Sequence, residues 1–525
     1  MIRFGSLIFS GIWLVLLYFR LPHLIWHSGV LMAWFTDRGL IMYKDFLNFY
    51  FPLSTYFVLP FFKITDWNLE TEPILSLAIA LLTLILIFKT ATRFLSPLGT
   101  SLSLFFFAVL FYYFTTAIQY SGEAITGFFL ILTVNRVFSF LGSKNDSTHD
   151  LTVGVSSCSR FASPTSSEPT TSTCLRRVVL RRYNKNRDIF IIGILISSTV
   201  LFNQISALAL FVITIFTLLN IRKGLNQQFL KSLLFLSFAI ILPMLLVSLY
   251  FVKQNALPDL IYNNLFYYIN YIKLARGSGN LLNLPWNEIF LFYIPVIIGI
   301  YSISTLKVIP PTLRTALFLL LSVSIITIPS IIFSVFHRHH FLYALPILAL
   351  LFGLVLELSI KSKRLFPKII TLAAGIFMIY QLFITILPWY SARLISGRNN
   401  NIANDILPGD SMLDTVTWIK ENTTTRDTVL VAGDGLFYFK AERLPSTKFF
   451  TVLPWHYKPI GQVAPIIQNN RPNYWVISPS YLKRISSPEG WDSPEITGFI
   501  MGELKSCYKQ VSSFSDWEIW QKSCS

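Results

Sequence analysis

Two aspartates precede an unusual stretch of this chain. Asp37 and Asp45 lie in DRGLIMYKDFLNFYFPLSTYFVLPFF, residues 37–62, which begins polar and then becomes almost wholly apolar and aromatic, with prolines at 52 and 60. Carboxylates beside apolar walls are desolvated, which raises their pKa and suits them to proton abstraction. The plain alternative is two solvated loop charges. Glu123 opens an apolar run, YSGEAITGFFLIL, residues 120–132. An acid there is costly unless it is paired or used, and its plain reading is a helix N-terminal acid favoured by the dipole. The third group is HRHH, residues 337–340. Arg338 offers a permanent charge with forked donors, and His339 and His340 add ring nitrogens. Such a group can bind an oxyanion or anchor a helix end at an interface. Adjacent histidines do not share a helix face, which counts against a metal site, and no cofactor is implied.

The elements that must position these residues follow from composition. Of 525 residues, 53% are hydrophobic and only 13% charged, and the mean hydropathy is +0.57. Soluble domains carry about 25% charged residues, so this chain cannot cover a water-facing surface and reads as a polytopic helical membrane protein. The net charge of +17 sits in short segments between apolar runs: KTATR (89–93), RRVVLRRYNKNR (176–187), IRKG (221–224) and KSKRLFPK (361–368). That is the pattern of cytoplasmic loops and argues against nucleic acid as a partner. Runs of about 20 apolar residues predict about eleven spans within residues 1–389, with a turn at Asn203 and Gln204 inside one long apolar stretch. An N-terminus on the cytoplasmic side of a plasma (inner) membrane and an odd number of spans put the C-terminal tail outside. Residues 21–72 then form the first external loop, with WHSGVLMAWF and FLNFYFPLSTYFVLPFF as helices lying along the interface.

Two segments differ from the rest. Residues 143–187, rich in serine and threonine, read as a disordered cytoplasmic loop. Residues 390–525 have ordinary polarity and alternate a helical DSMLDTVTWIKENT with strand-type DTVLVAG and NYWVISPS, which predicts a small external α/β domain. Its last stretch, YKQVSSFSDWEIWQKS, reads as two strands about a turn at Ser515 and Asp516. Counting outward from that turn puts Cys507 opposite Cys524, close enough for a disulfide. Cys158 and Cys174 fall in the loop expected to face the reducing cytoplasm.

With the elements in place, GLIMYKDFLNFYFPLSTYFVLPFF resembles the first external loop of membrane glycosyltransferases with the GT-C fold, the protein O-mannosyltransferase and aminoarabinose transferase relatives. Their loop reads Gly, two or three residues, Tyr-Arg-Asp-Phe, an aromatic stretch and Pro-Leu; here these are Gly39, Tyr43, Lys44, Asp45, Phe46, Pro52 and Leu53. In the same order as in that family, YSGEAITGFFLIL places Glu123 at the start of the fourth span, and LFNQISALAL (201–210) is similar to a segment that usually reads Leu-Thr-Lys-Gln, with Gln204 matching. HRHHFLYALPILALLFG (337–353) resembles the Arg/His-Tyr-x-x-x-Pro entry to a late span, with Tyr343 matching, and YFKAERLPSTKFF (438–450) resembles part of an external C-terminal domain. Two departures stand out. The Asp-Glu pair of many members is missing where IWHSGVLMAWF stands, with His27 and no acid, and Asn203 replaces the lysine before Gln204.

The resemblance implies a donor made of polyprenyl phosphate carrying one sugar. The sugar would move with inversion to a hydroxyl of a lipid, glycan or protein acceptor on the external face. Asp45, or else Asp37, would be the base. Tyr43, Lys44, Glu123, Gln204, Arg276 in the loop YIKLARGSGN, Arg338, His339, His340 and Tyr343 would contact substrate, with Arg338 on the departing phosphate. A transporter or flippase of lipid-linked sugars, or a polymerase of them, is the alternative; the first needs ionisable groups at mid-bilayer.

Overall fold

The computed structural model describes residues 1–21, 29–48, 50–115, 121–160, 170–221, 227–267, 286–302, 311–333, 338–362, 365–398, 410–457, 460–487 and 493–524, with backbone alone over 142–160 and 170–185. Arg276 lies outside them. The chain is mostly helical. Among the described residues six helices are long and apolar enough to cross a membrane: 2–20, 71–91, 97–114, 122–141, 229–253 and 375–392. Shorter apolar helices cover 204–219, 293–302 and 313–327.

At the centre are α4 (Thr71–Ala91), α5 (Pro97–Thr115), α6 (Gly122–Arg160) and α13 (Leu345–Lys361). Every residue of α13 from Leu345 to Ser359 is buried, so its uniform apolarity reflects a helix enclosed by other helices rather than an amphipathic one. It crosses α5 where Gly353 meets Gly99. A Cβ on Gly353 would lie 2.3 Å from the Gly99 carbonyl oxygen, and the paired glycines let the two backbones approach. The expected turn at 203–204 is present: α7 (Thr170–Phe202) stops, a 3-10 turn covers Gln204–Ser206, and α8 (Ala207–Ile221) begins. Asn203 makes that turn by accepting the Ile205 N–H at 3.0 Å, the local bond that asparagine offers in competition with the helix.

Three expectations about the connecting segments are corrected. The segment 21–72, expected as the first external loop, holds α2 (Val30–Asp37) and α3 (Pro52–Ile64), but Val30 to Phe35 are all buried, so α2 is enclosed by protein instead of lying on an interface. Its aromatic rings pack on the C-terminal domain, Trp34 on Phe439 at 5.9 Å and Phe35 on Phe450 at 5.3 Å. The segment 143–187 is helical over 143–160 and 170–187, as continuations of α6 and α7. Adding residues to an existing helix avoids the cost of a new nucleus, which composition alone does not show. The helix α15 (Leu387–Arg398) runs through residue 390, where the polar domain is expected to begin, and the next described helix is α16 (Asp410–Asn422).

That domain contains a four-stranded sheet in the order β1-β2-β4-β3. β1 (Val429–Ala432) pairs in parallel with β2 (Tyr474–Ile477), and β2 pairs antiparallel with β4 (Trp517–Lys522). β3 (Tyr508–Phe514) and β4 form the hairpin expected about Ser515, whose φ is +50°. The pairing Phe514↔Trp517 matches the counted register as far as Ser512↔Ile519. A bulge at Val511 then shifts it by one residue, so Gln510 faces Trp520. Cys507 ends the helix Pro494–Cys507 rather than lying in a strand. The two cysteines are nonetheless joined, with their Cα atoms 4.8 Å apart, because the Cys507 carbonyl accepts the N–H groups of both Ser523 and Cys524.

Candidate active site

The helix α6 begins where Ser121 caps it. The Ser121 hydroxyl oxygen accepts the N–H groups of Glu123 and Ala124 at 3.2 and 3.4 Å, as expected of serine at this position. Glu123, at the second residue of the helix, is 1% exposed. The reading of Glu123 as a solvated helix-end acid therefore fails. Its carboxylate accepts from Ser121 Oγ at 2.7 Å, from Tyr50 Oη at 3.3 Å and from Asn203 Nδ2 at 3.4 Å, and His340 Nε2 lies 3.8 Å away. One acid thus gathers the segment that precedes α3, α6 itself, the α7–α8 turn and the turn before α13. Asn203, where the resemblance leads one to expect lysine, holds the carboxylate with a neutral donor.

Two small residues make this convergence possible. A Cβ on Gly122 would lie 3.0 Å from the Tyr50 ring, so the ring lies directly over that backbone. Gly127 is four residues after Glu123 and shares its helix face. A Cβ there would lie 2.8 Å from the Leu342 carbonyl oxygen and 3.2 Å from Tyr343 Cα. The turn Arg338–Phe341 therefore rests against α6 and delivers both histidines to the carboxylate. Gly127→Val should push this turn away, with a stability loss of about 1–3 kcal/mol typical of overpacking. Gly375→Val, where nothing lies within 4 Å, should change the unfolding temperature little. Thermal unfolding of the purified variants compares them.

In a 3-10 turn adjacent side chains can point toward one neighbour. The rings of His339 and His340 sit 4.5 Å apart, edge to face, and one ligand atom from each of Glu123, His339 and His340 lies within 4.8 Å of the others. The helix-face objection to joint action by the histidines is thus overturned. Two ligands about 2.1 Å from one tetrahedral ion stand about 3.4 Å apart, so this cluster would have to tighten to hold a divalent cation. Its present spacing includes the 3.8 Å approach of His340 to Glu123, within range of charge or water-bridged contact. Burial holds His339 well below its ordinary pKa, at about 4, so its ring is neutral near pH 7 and offers hydrogen bonds rather than charge.

The YKDF turn stands next to this hub. Tyr43 adopts φ +69° and is fully buried. Its hydroxyl donates to the Tyr50 carbonyl at 2.6 Å. Tyr43 therefore holds in place the residue that reaches Glu123. Asp45 is partly buried. Its Oδ2 accepts the Ile41 N–H at 2.7 Å, and its other oxygen has no hydrogen bond among the described residues. Asp37 instead pairs with Lys63 at 2.5 Å. Lys44 is exposed and donates to the Gln254 carbonyl at 3.4 Å. Tyr343 is buried and donates to the Thr327 carbonyl at 3.4 Å, which ties the histidine turn to α12 (Pro311–Phe333). Gln204 opens its 3-10 turn one residue after Asn203. The side chain of Arg338 lies outside the described residues. The C-terminal domain closes over the turn: the Leu47 N–H donates to the Lys448 carbonyl at 3.1 Å, and Lys448 Nζ pairs with Asp259 at 3.2 Å.

Neither a protein-family model nor a curated protein matches the chain by sequence. Solved structures match over nearly its whole length. One is the archaeal oligosaccharyltransferase AglB from Archaeoglobus fulgidus, in complex with an inhibitory peptide and a dolichol-phosphate, at 12% identity and a TM-score of 0.51, covering 99% of this chain and 74% of that one. Another is ArnT from Cupriavidus metallidurans bound to undecaprenyl phosphate, also at 12% identity and a TM-score of 0.51, covering 100% of this chain and 98% of that one. The chain has the GT-C fold of these membrane proteins.

Proposed function

We propose that this chain is an integral membrane glycosyltransferase that moves a single sugar, with inversion, from a polyprenyl-phosphate donor to an acceptor hydroxyl on the extracytoplasmic face. The observation that carries this reading is the convergence on buried Glu123 of four separate elements beside an aspartate-bearing turn, in a fold whose solved examples bind dolichol or undecaprenyl phosphate. In this reading Asp45 takes the acceptor proton, since it keeps a carboxylate oxygen without a described hydrogen bond while Asp37 is tied to Lys63. Glu123 and its neutral partners orient sugar or acceptor hydroxyls. Arg338, Lys44, Gln204, Arg276, His340 and the neutral ring of His339 surround the departing phosphate, where preorganised donors stabilise developing charge. The acceptor is a lipid, glycan or protein hydroxyl. Incubating the purified protein with an anomerically defined polyprenyl-phosphate sugar and reading the product linkage by NMR tests the stereochemistry: the anomeric configuration should invert. Retention excludes direct displacement by the acceptor.

The same reading places the polar domain, residues 390–525, on the external side, in an oxidising compartment of the cell envelope. The Cys507–Cys524 bond is compatible with such a compartment. In intact cells a membrane-impermeant maleimide should label neither cysteine until a reductant is added, and both afterwards. Labelling without reductant, or only after permeabilisation, contradicts the placement. Reduction should cost the domain about 3 kcal/mol in the chain-entropy model. The flippase alternative gains no support from Glu357: its carboxylate accepts the Ser96 N–H and pairs with Lys361, both at 2.6 Å, which is a structural tie.

A further inference from the structure

A second site lies at the opposite ends of the same helices. From Thr71 to Ala91, α4 has 21 residues, about 31 Å at 1.5 Å per residue, which matches a hydrocarbon core of about 30 Å. Arg93 follows at headgroup depth. Its Nη1 donates to the Asn135 carbonyl at 3.1 Å and to Ser139 Oγ at 2.5 Å, on either side of Arg136 in α6. Arg136 Nη2 pairs with Asp188 of α7 at 2.6 Å. Two guanidinium groups are therefore brought together against one facing carboxylate, Asp188. Burial and the charge of Arg136 lower the pKa of Arg93. Each guanidinium engages its described partners through one nitrogen, and donors remain on each, with Arg136 Nε itself buried.

The face of α4 leading to this pair is apolar and then cationic. Leu82 and Ile85 are 50% and 49% exposed, and Lys89 is exposed in the last turn. Residues 82, 85, 89 and 93 follow the spacing of one helix face, continued into the turn after α4. Exposed apolar residues followed by two cations at headgroup depth match one phospholipid, with an acyl chain along the first and a phosphate at the second. Arg187 beside Asp188 is also exposed.

We propose that this face binds an anionic phospholipid, its phosphate held between Arg93 and Arg136 and one acyl chain along Leu82 and Ile85. Thermal unfolding of the full chain in a neutral detergent tests this, with phosphatidylglycerol, phosphatidylcholine of the same acyl chains, or inorganic phosphate added. Phosphatidylglycerol should raise the midpoint by several degrees more than phosphatidylcholine, and inorganic phosphate should not reproduce the rise. The variant R93Q/R136Q/D188N removes both cations without stranding the aspartate, and it should lose most of that difference while remaining monodisperse. Leu82→Ser/Ile85→Ser, which leaves the charges intact, should reduce the rise as well. The proposal is overturned by equal effects of the two lipids, by an equal effect of inorganic phosphate, or by an undiminished difference in either folded variant.

Discussion

Asp45→Asn should lower transfer about 10²–10⁴-fold, the range that general-base catalysis contributes, with little change in stability. The asparagine amide oxygen can still accept the Ile41 N–H that Oδ2 accepts at 2.7 Å, so the turn keeps its shape. Tyr43 still reaches the Tyr50 carbonyl, so Glu123 keeps its partner. Only the ability to take a proton is removed. The loss should therefore fall on kcat, with donor KM unchanged. Steady-state kinetics and thermal unfolding on the same preparation read both effects. Asp37→Asn should act differently, because Asp37 is ion-paired with Lys63, whose side chain is 54% exposed, and exposed pairs contribute about 0–1 kcal/mol. A full loss in Asp37→Asn with normal turnover in Asp45→Asn exchanges the two roles.

Glu123→Gln should damage both activity and folding. The buried carboxylate accepts from Ser121, Tyr50 and Asn203. A glutamine offers one acceptor oxygen and turns an NH2 toward donors, leaving at least one buried donor unpaired. Each such group costs about 1–3 kcal/mol. The unfolding temperature should fall, and transfer should fall at least 10²-fold because Tyr50 and the histidine turn lose the group that aligns them. Asn203→Asp, which places a second acid against the carboxylate, should be worse than Asn203→Ala. Turnover and unfolding of the three variants check the order; a Glu123→Gln protein with normal stability makes Glu123 a substrate contact instead of a hub.

The span-forming character of this chain was legible because it depends on composition and run length. So were the Asn203 break, where a polar pair interrupts an apolar run, and the β3–β4 turn, where Ser515-Asp516 separates alternating segments. The Val511 bulge was not, since nothing in VSSF distinguishes a bulged strand from a regular one. Glu123 was legible as an unusual acid, and the serine two residues before it is a capping signal. Its partners were not legible. Tyr50 is one aromatic among many in its loop, and Asn203 reads as a turn residue and as the replacement of a lysine, not as a donor to an acid. Pairing them required Gly122 and Gly127 to admit a ring and a turn, and a glycine's neighbours across a helix interface leave no local pattern. The burial of α2 escaped for the same reason: its apolar sequence suits a membrane interface and a protein interior alike.

The most direct test of the central claim uses sealed membranes with and without the overexpressed protein, given polyprenyl-phosphate donors labelled in the sugar. The account predicts a new labelled glycoconjugate that depends on the protein and on external donor, formed without net movement of donor across the bilayer and abolished by Asp45→Asn. Protein-dependent movement of intact labelled donor to the other leaflet, with no new glycoconjugate in the presence of lipid, glycan and protein acceptors, would contradict it.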